Sequence, residues 1–300
     1  MVLANLRLSG EWLAPSSWEL PVAESPALRS ATDAVNKIAT PDDDAFLARL
    51  RLGLELPRFS TEILADQRFV EDLAQRTLTE IRRSQEPFET RCPGQWLNRL
   101  DDDHATITPV GEGDARAMHR YFHYIGTERS GDHFGLRQRS SPPDKFPTYV
   151  LTFSTFDIES AGSYLESKLP SANAMVLSRV LSIDSAPRNA FSFTFARVLP
   201  ALLELRPGLD LILTYVNPNL GFTGASYLAA NWTLFAKEQT HYAYLDGAHI
   251  TMRELSRRFG GTEYAALCRQ LGSRLSLSVQ PLSPLLIFAY PTSSRATAAL

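Results

Sequence analysis

Only two cysteines, Cys92 and Cys268, occur in 300 residues. That number and spacing supply neither a disulfide framework nor a paired-cysteine zinc site. No run approaches the roughly 20 consecutive apolar residues of a membrane-spanning helix. The first stretch, MVLANLRLSGEWLAP, lacks the charged start and long apolar segment of a secretory leader. A reduced, cytoplasmic setting without membrane association is therefore expected. Lysine is scarce, at Lys37, Lys145, Lys168 and Lys237 alone, and the formal net charge is only −3. Bulk electrostatics thus exclude a strong whole-molecule pull toward nucleic acid, although a local basic groove remains open. No glycine-rich turn follows the first strand, which argues against a doubly wound dinucleotide-binding sheet. No G-x-S-x-G element occurs, and neither cysteine has a histidine beside it in sequence, so a hydrolase has little support.

What is there is a globular composition, 44% hydrophobic and 21% charged, in a chain long enough to bury a core unaided. The first hundred residues read as mostly helical. Residues 43–53 start acidic and stop at a glycine. Ser60 is placed to cap a helix with Glu62 in its first turn. The run 69–84 puts Val70, Leu73, Leu78 and Ile81 on one face. Prolines then interrupt the pattern, and a soft boundary near residue 98 divides a helical region, 1–98, from a second domain, 99–300.

Beyond that boundary the periodicity alternates. Strands are expected at 105–110, 134–140, 148–155, 174–183, 210–216, 233–238, 241–245 and 284–290. Helices are expected at 114–126, with Asp114 as cap, at 159–168, and at 191–205, where Pro200 should kink or divide the run. A short helix follows at 224–232, then two more that stop at Gly260 and Gly272. The fold class is α/β (α+β): a mixed sheet with helices on its faces.

The stretch SIDSAPRNAFSF (182–193) passes from a strand pattern to a helix pattern through a turn of small residues and one arginine. A helix beginning near Asn189 offers free amides and the positive end of its dipole. Arg188 adds a permanent charge with a fork suited to phosphate oxygens. Ser185, Ala186, Ala190 and Ser192 are small enough to let a bulky anion reach the backbone. A pyrophosphate fits this description. A capped turn with a solvated arginine fits it as well.

The series of strand, turn, helix, strand and tyrosine-bearing helix across 182–232 resembles the acyl-CoA-binding core of the GNAT superfamily of N-acyltransferases. The closer resemblance is to its Mom-type, phage DNA-modifying branch and bacterial relatives. Ala186, Pro187, Arg188 and Asn189 match that branch's turn. Thr214, Tyr215, Val216 and Asn217 match its S-Y-A-D strand end, with asparagine in place of the acid. Gly221, Phe222, Gly224, Tyr227 and Trp232 follow its G-H-x-G-x-x-Y-x-A-x-x-W element, with phenylalanine in place of the histidine.

The resemblance implies a mostly antiparallel central sheet flanked by helices, with 1–98 as an N-terminal helical extension. It implies acetyl-CoA or another acyl-CoA as acyl donor, entering between splayed strands 174–183 and 210–216. Backbone groups of Val180, Leu181 and Ser182 would pair with the pantetheine arm. Arg188, Asn189, Ala190 and Ser192 would hold the phosphates. Tyr227 would protonate the leaving thiolate, with Tyr215 and Asn217 as further catalytic candidates. The acceptor would be a small-molecule amine or, in the Mom manner, a nucleobase. The changes at Asn217 and Phe222 also admit a binding module without catalysis.

Two further patterns carry alternatives. His119 and His123 share one face if 114–126 is helical, a spacing that binds a cation or merely flanks an apolar stripe. No metal site is assigned from it. Arg116, Arg120, Arg129, Arg137 and Arg139 are candidates to track nucleic-acid phosphates.

Overall fold

The computed structural model describes residues 24–96, 99–156, 165–166, 168–183, 186–187, 189–260 and 264–300. The expected helix at 159–168 lies largely outside them. Ser25 caps α1 (Pro26–Ile38), accepting the Leu28 amide at 3.1 Å. Asp44 caps α2 (Ala45–Glu55), accepting the Leu47 amide at 2.9 Å. Ser60 occupies the cap of α3 (Thr61–Leu64), but its hydroxyl serves the Glu62 carboxylate and holds that acid below its usual range. Helix α4 (Gln67–Gln85) buries Val70, Ala74, Leu78 and Ile81, so Ala74 takes the place expected of Leu73.

The alternating half then supplies β1 (Ala105–Pro109), α5 (Glu112–Tyr121), β2 (Asp132–Gln138), β3 (Tyr149–Thr155) and β4 (Ala174–Ser182). Helix α6 (Ala190–Leu205), β5 (Leu211–Val216), α7 (Ala225–Ala229) and β6 (Thr233–Glu238) follow. The remainder is β7 (Ala243–Leu245), β8 (Ala248–Ile250), α8 (Met252–Phe259), α9 (Tyr264–Leu271), β9 (Leu275–Leu277), β10 (Leu285–Pro291) and α10 (Ser294–Ala299). Seven strands form one sheet in the order β1-β2-β3-β4-β5-β10-β6, and three form another, β8-β7-β9. The pairs β1–β2, β2–β3 and β3–β4 are antiparallel, whereas β4–β5 is parallel.

Two compact units arise, each from discontinuous stretches. The first joins the described residues up to Arg82 to Val216–Thr223 and Ala236–Leu286. Its small sheet packs Ala243, Leu245 and Ile250 against Leu255, Leu267 and Leu271 of α8 and α9. The second unit comprises Arg83–Tyr215, Gly224–Phe235 and Ile287–Leu300. There Val150, Leu181 and Ile183 of the sheet region bury Ala115 and Met118 of α5 together with Phe146.

Two local expectations are corrected. Asp114 does not cap α5: Gly111 holds that position, and Asp114 instead receives both Arg91 Nη atoms at 2.9 Å. The helix also ends at Tyr121 rather than at 126. Phe122 is the C-cap, its amide still donating to the Met118 carbonyl, and its ring packs 6.3 Å from Phe88 and 5.9 Å from Phe146. Past it, His123 Nδ1 takes the Ile125 amide that a further helical turn would use. Pro200, for its part, does not divide α6. It lies on the exposed side with Ala196, whose carbonyl loses its helical donor where water can replace it.

Candidate active site

The centre of the large sheet parts. Strands β4 and β5 pair only through Ala174, Met175 and Val176 against Leu211, Ile212 and Leu213. Beyond that point β4 continues to Ser182 and β5 to Val216 without further mutual register. The bend has a local cause. Opposite β3, Thr152 pairs with Arg179 and Phe153 with Leu177, so Ser178 is one residue too many, a β-bulge. Its hydroxyl lies 2.8 Å from Ser154 Oγ and 3.2 Å from the Thr152 carbonyl, which stabilises the irregularity. At the parting itself the Thr214 hydroxyl donates to the Leu177 carbonyl at 2.9 Å, doing the work of a ladder amide.

Tyr227 reaches this same point. Its hydroxyl bonds the Thr214 side chain. Thr214 gives its single proton to Leu177, so Tyr227 is the donor of the pair. The residue is half-buried as a whole, but its hydroxyl lies deep, and burial pushes it up to about 12. The ring is fixed by Phe191 at 4.7 Å, Trp232 at 5.3 Å and Phe288 at 5.6 Å. Gly224 allows that packing: with φ of 78° it adopts the left-handed conformation, and a Cβ there would enter the Phe288 ring. The Trp232 amide closes the local turn by donating to the Tyr227 carbonyl at 3.0 Å.

The other expected residues distribute as follows. Val180, Leu181 and Ser182 lie on the parted half of β4, paired with β3 through Leu151, Val150 and Tyr149. Asn189 is the N-cap of α6 in the left-handed conformation, φ 65°, and its side chain makes no cap bond. Ala190 and Ser192 lie in the first turn behind it, while Arg188 and Ser185 fall outside the described residues. Strand alternation sends Tyr215 to the face opposite Thr214. Asn217 accepts the amide of Asn219 at 3.1 Å and donates to Tyr242 Oη at 2.8 Å, so it shapes the turn after β5.

His119 and His123 do not share a helical face, because α5 stops between them. His123 Nδ1 instead accepts the Ile125 amide at 3.2 Å. Among the described residues no group of three His, Cys, Asp or Glu side chains is placed to hold a metal ion.

A second buried network escaped the sequence. His119 Nδ1 accepts the Arg129 amide at 3.3 Å, so its proton resides on Nε2 and points at Thr152 Oγ1, 3.0 Å away. Thr152 in turn donates to His133 Nδ1 at 3.0 Å, and His133 Nε2 meets Glu112 Oε2 at 2.9 Å. Burial, aided by the Arg179 charge, drives His119 down to about 3, so it is neutral at ordinary pH. The Glu112 carboxyl is held below its usual range, first by His133. Arg179, on the parted half of β4, is anchored by the Thr127 hydroxyl at 3.0 Å and the Ser178 carbonyl at 2.7 Å. Its field also reaches Tyr124, whose hydroxyl burial pushes upward. Of the five candidate phosphate-tracking arginines, Arg116 and Arg120 face Glu128, and Arg139 donates to the Asp102 carbonyl at 2.9 Å. Arg129 and Arg137 likewise donate to carbonyls, those of Thr155 and Lys145.

A mostly antiparallel mixed sheet, with a bulged strand parting from its one parallel neighbour and helices on its faces, defines an α/β protein. Residues 104–280, more than half of the chain, match the Mom protein family, and the chain belongs to that family. No curated protein gives a significant match. Among solved structures the chain is similar to Arabidopsis thaliana NAA60 in complex with acetyl-CoA, at 9% identity over 63% of this chain and 98% of that one, TM-score 0.36. It is also similar to a Sphaerobacter thermophilus protein described as an acetyltransferase, at 10% identity over 71% and 88% of the two chains, TM-score 0.25. Neither likeness is close enough to align site residues. Among the described residues no helix is long and apolar enough to cross a membrane.

Proposed function

We propose that this chain is an N-acyltransferase that moves an acyl group, acetyl in the simplest case, from acyl-CoA to an amine. The carrying observation is the parting of β4 from β5 after Val176 and Leu213, with the Tyr227–Thr214 hydroxyl pair at its apex. An extended thioester arm finds there a strand edge, along the part of β4 that β5 no longer accompanies. In this reading Val180, Leu181 and Ser182 bond the arm, and Arg188 with the first-turn amides at Asn189, Ala190 and Ser192 receives the phosphates. The catalytic domain is 99–300, with 1–98 as its extension, in a reduced, cytoplasmic setting where neither Cys92 nor Cys268 is in a disulfide.

The chemistry follows from the groups present. The neutral amine attacks the thioester carbonyl, the C–S bond breaks, and the proton released by the amine ends on the CoA sulfur. Tyr227, at about 12, is a weaker acid than a thiol of roughly 8.5. Full proton transfer from it is therefore uphill, and its role is to rotate its O–H from Thr214 toward the developing thiolate and stabilise it by hydrogen bonding. Tyr215 and Asn217 are assigned to the acceptor side. Calorimetry with acetyl-CoA and other short acyl-CoAs tests the reading. Binding is expected, and weaker binding in Arg188→Ala; an absence of binding removes the proposal.

Family membership favours a second reading of the acceptor, a nucleobase. Mass spectrometry of nucleosides from DNA incubated with protein and acyl-CoA separates the two. An acylated base supports the nucleobase, while an unmodified digest alongside an acylated small amine supports the first reading. Acyl-CoA binding without turnover on either acceptor class would leave a binding module.

A further inference from the structure

The first unit carries a solvent-open depression of about 440 Å³ that the acyl-transfer reading does not use. Its walls come from Arg58 and Phe59 on one side and from the β7–β8 turn and the start of β9 on the other. The volume falls within the roughly 300–1,000 Å³ of small-ligand sites. Arg58 ends the short 3₁₀ turn Leu56–Arg58, and its guanidinium lies 4.3 Å from the Phe59 ring centroid. Gly247 gives it room: φ is 88°, and a Cβ there would run into the Arg58 fork. Among the described residues no carboxylate sits within ion-pair distance of Arg58; Glu55 acts on it only from farther away.

The rest of the lining suits one anion. Asp246 is the acid at the rim, and Arg274 engages it through Nε at 2.8 Å and Nη2 at 2.6 Å. That pairing leaves Arg274 Nη1 for another acceptor. Ser273 and Ser276 add two hydroxyls. The lining thus holds one cation more than its acids balance, in fork geometry, with neutral donors beside it.

We infer that this depression binds a phosphate-type oxyanion, with Arg58 as the principal contact. The ligand is a free phosphorylated metabolite or a nucleic-acid phosphate, since both present the same oxygens. The inference is independent of the acyl-transfer reading.

The test titrates the full chain with inorganic phosphate by calorimetry at constant ionic strength. Wild type is expected to bind. Arg58→Met is expected to weaken binding at least about tenfold, Arg58→Lys less, and Ser276→Ala a few-fold. Melting temperatures in chloride check that each variant folds. Competition by a short DNA oligonucleotide identifies a nucleic-acid source, and competition by a sugar phosphate a free metabolite. Phosphate affinity unchanged in both Arg58 variants, or absent in wild type, overturns the assignment. Acetyl-CoA affinity is expected to be the same in wild type and Arg58→Met. A parallel loss of both ligands would overturn the claim of a separate site.

Discussion

Two buried hydroxyls in the same unit behave differently. Tyr227 Oη sits among aromatic rings and has the Thr214 side chain as its bonding partner. Thr152 Oγ1 is the hub between His119 and His133, and that chain ends at Glu112. The first belongs to a side chain whose ring packing alone secures its place. The second holds together groups that have no reason to be buried except each other. A hydroxyl that can be removed without orphaning a neighbour is free to serve chemistry, whereas a hub hydroxyl is committed to the fold.

The largest effect expected from this contrast is on pH dependence. His119 is at about 3 in the folded chain against 6.5 for the free side chain. The unfolded chain therefore takes up a proton that the folded one refuses. The stability this contributes is fully present above pH 6.5 and declines as pH falls toward 3, by a total on the order of 4 kcal/mol. His249, lowered to about 4 by burial, adds in the same direction. Denaturant unfolding followed between pH 7 and pH 4 checks this, and a level profile would mean that His119 takes up its proton in place.

On the aromatic side, Gly224→Ala combines a strained φ with a clash against Phe288. A loss of about 3 kcal/mol is expected, read by chemical denaturation. Thr152→Val keeps the shape of the hub but leaves two histidine nitrogens without partners, for about 2 kcal/mol. The contrast breaks if this variant is as stable as wild type.

The smallest stability effect is expected from Tyr227→Phe, about 1 kcal/mol or less, because the rings remain packed. Acyl-transfer turnover should nonetheless fall at least about tenfold while acyl-CoA affinity holds. Turnover equal to wild type would return Tyr227 to a packing role.

Much of this arrangement was legible along the chain. Strong apolar runs marked β4, β5 and β10, and their order already implied a mixed sheet. The Tyr227–Trp232 spacing and the expected splay of two central strands coincide with the observed aromatic cluster and parted pair. Other features had no local signature. Ser178 reads as an ordinary strand residue; only its opposition to β3 makes it a bulge. His133 lies 14 positions from His119 in sequence, on a different element, and nothing in either neighbourhood announces Thr152 between them. Asp114 had the chemistry of a cap, yet Arg91 offered it a two-pronged ion pair.

The sequence by itself determined the periodic elements and the family, because these depend on residues close together in the chain. Tertiary structure alone decided at which residue pair the sheet opens, that Thr214 and Tyr227 meet there and which histidines are kept neutral. Each of those rests on groups brought together from distant strands, and on the cost of burying polar atoms that only a distant partner removes.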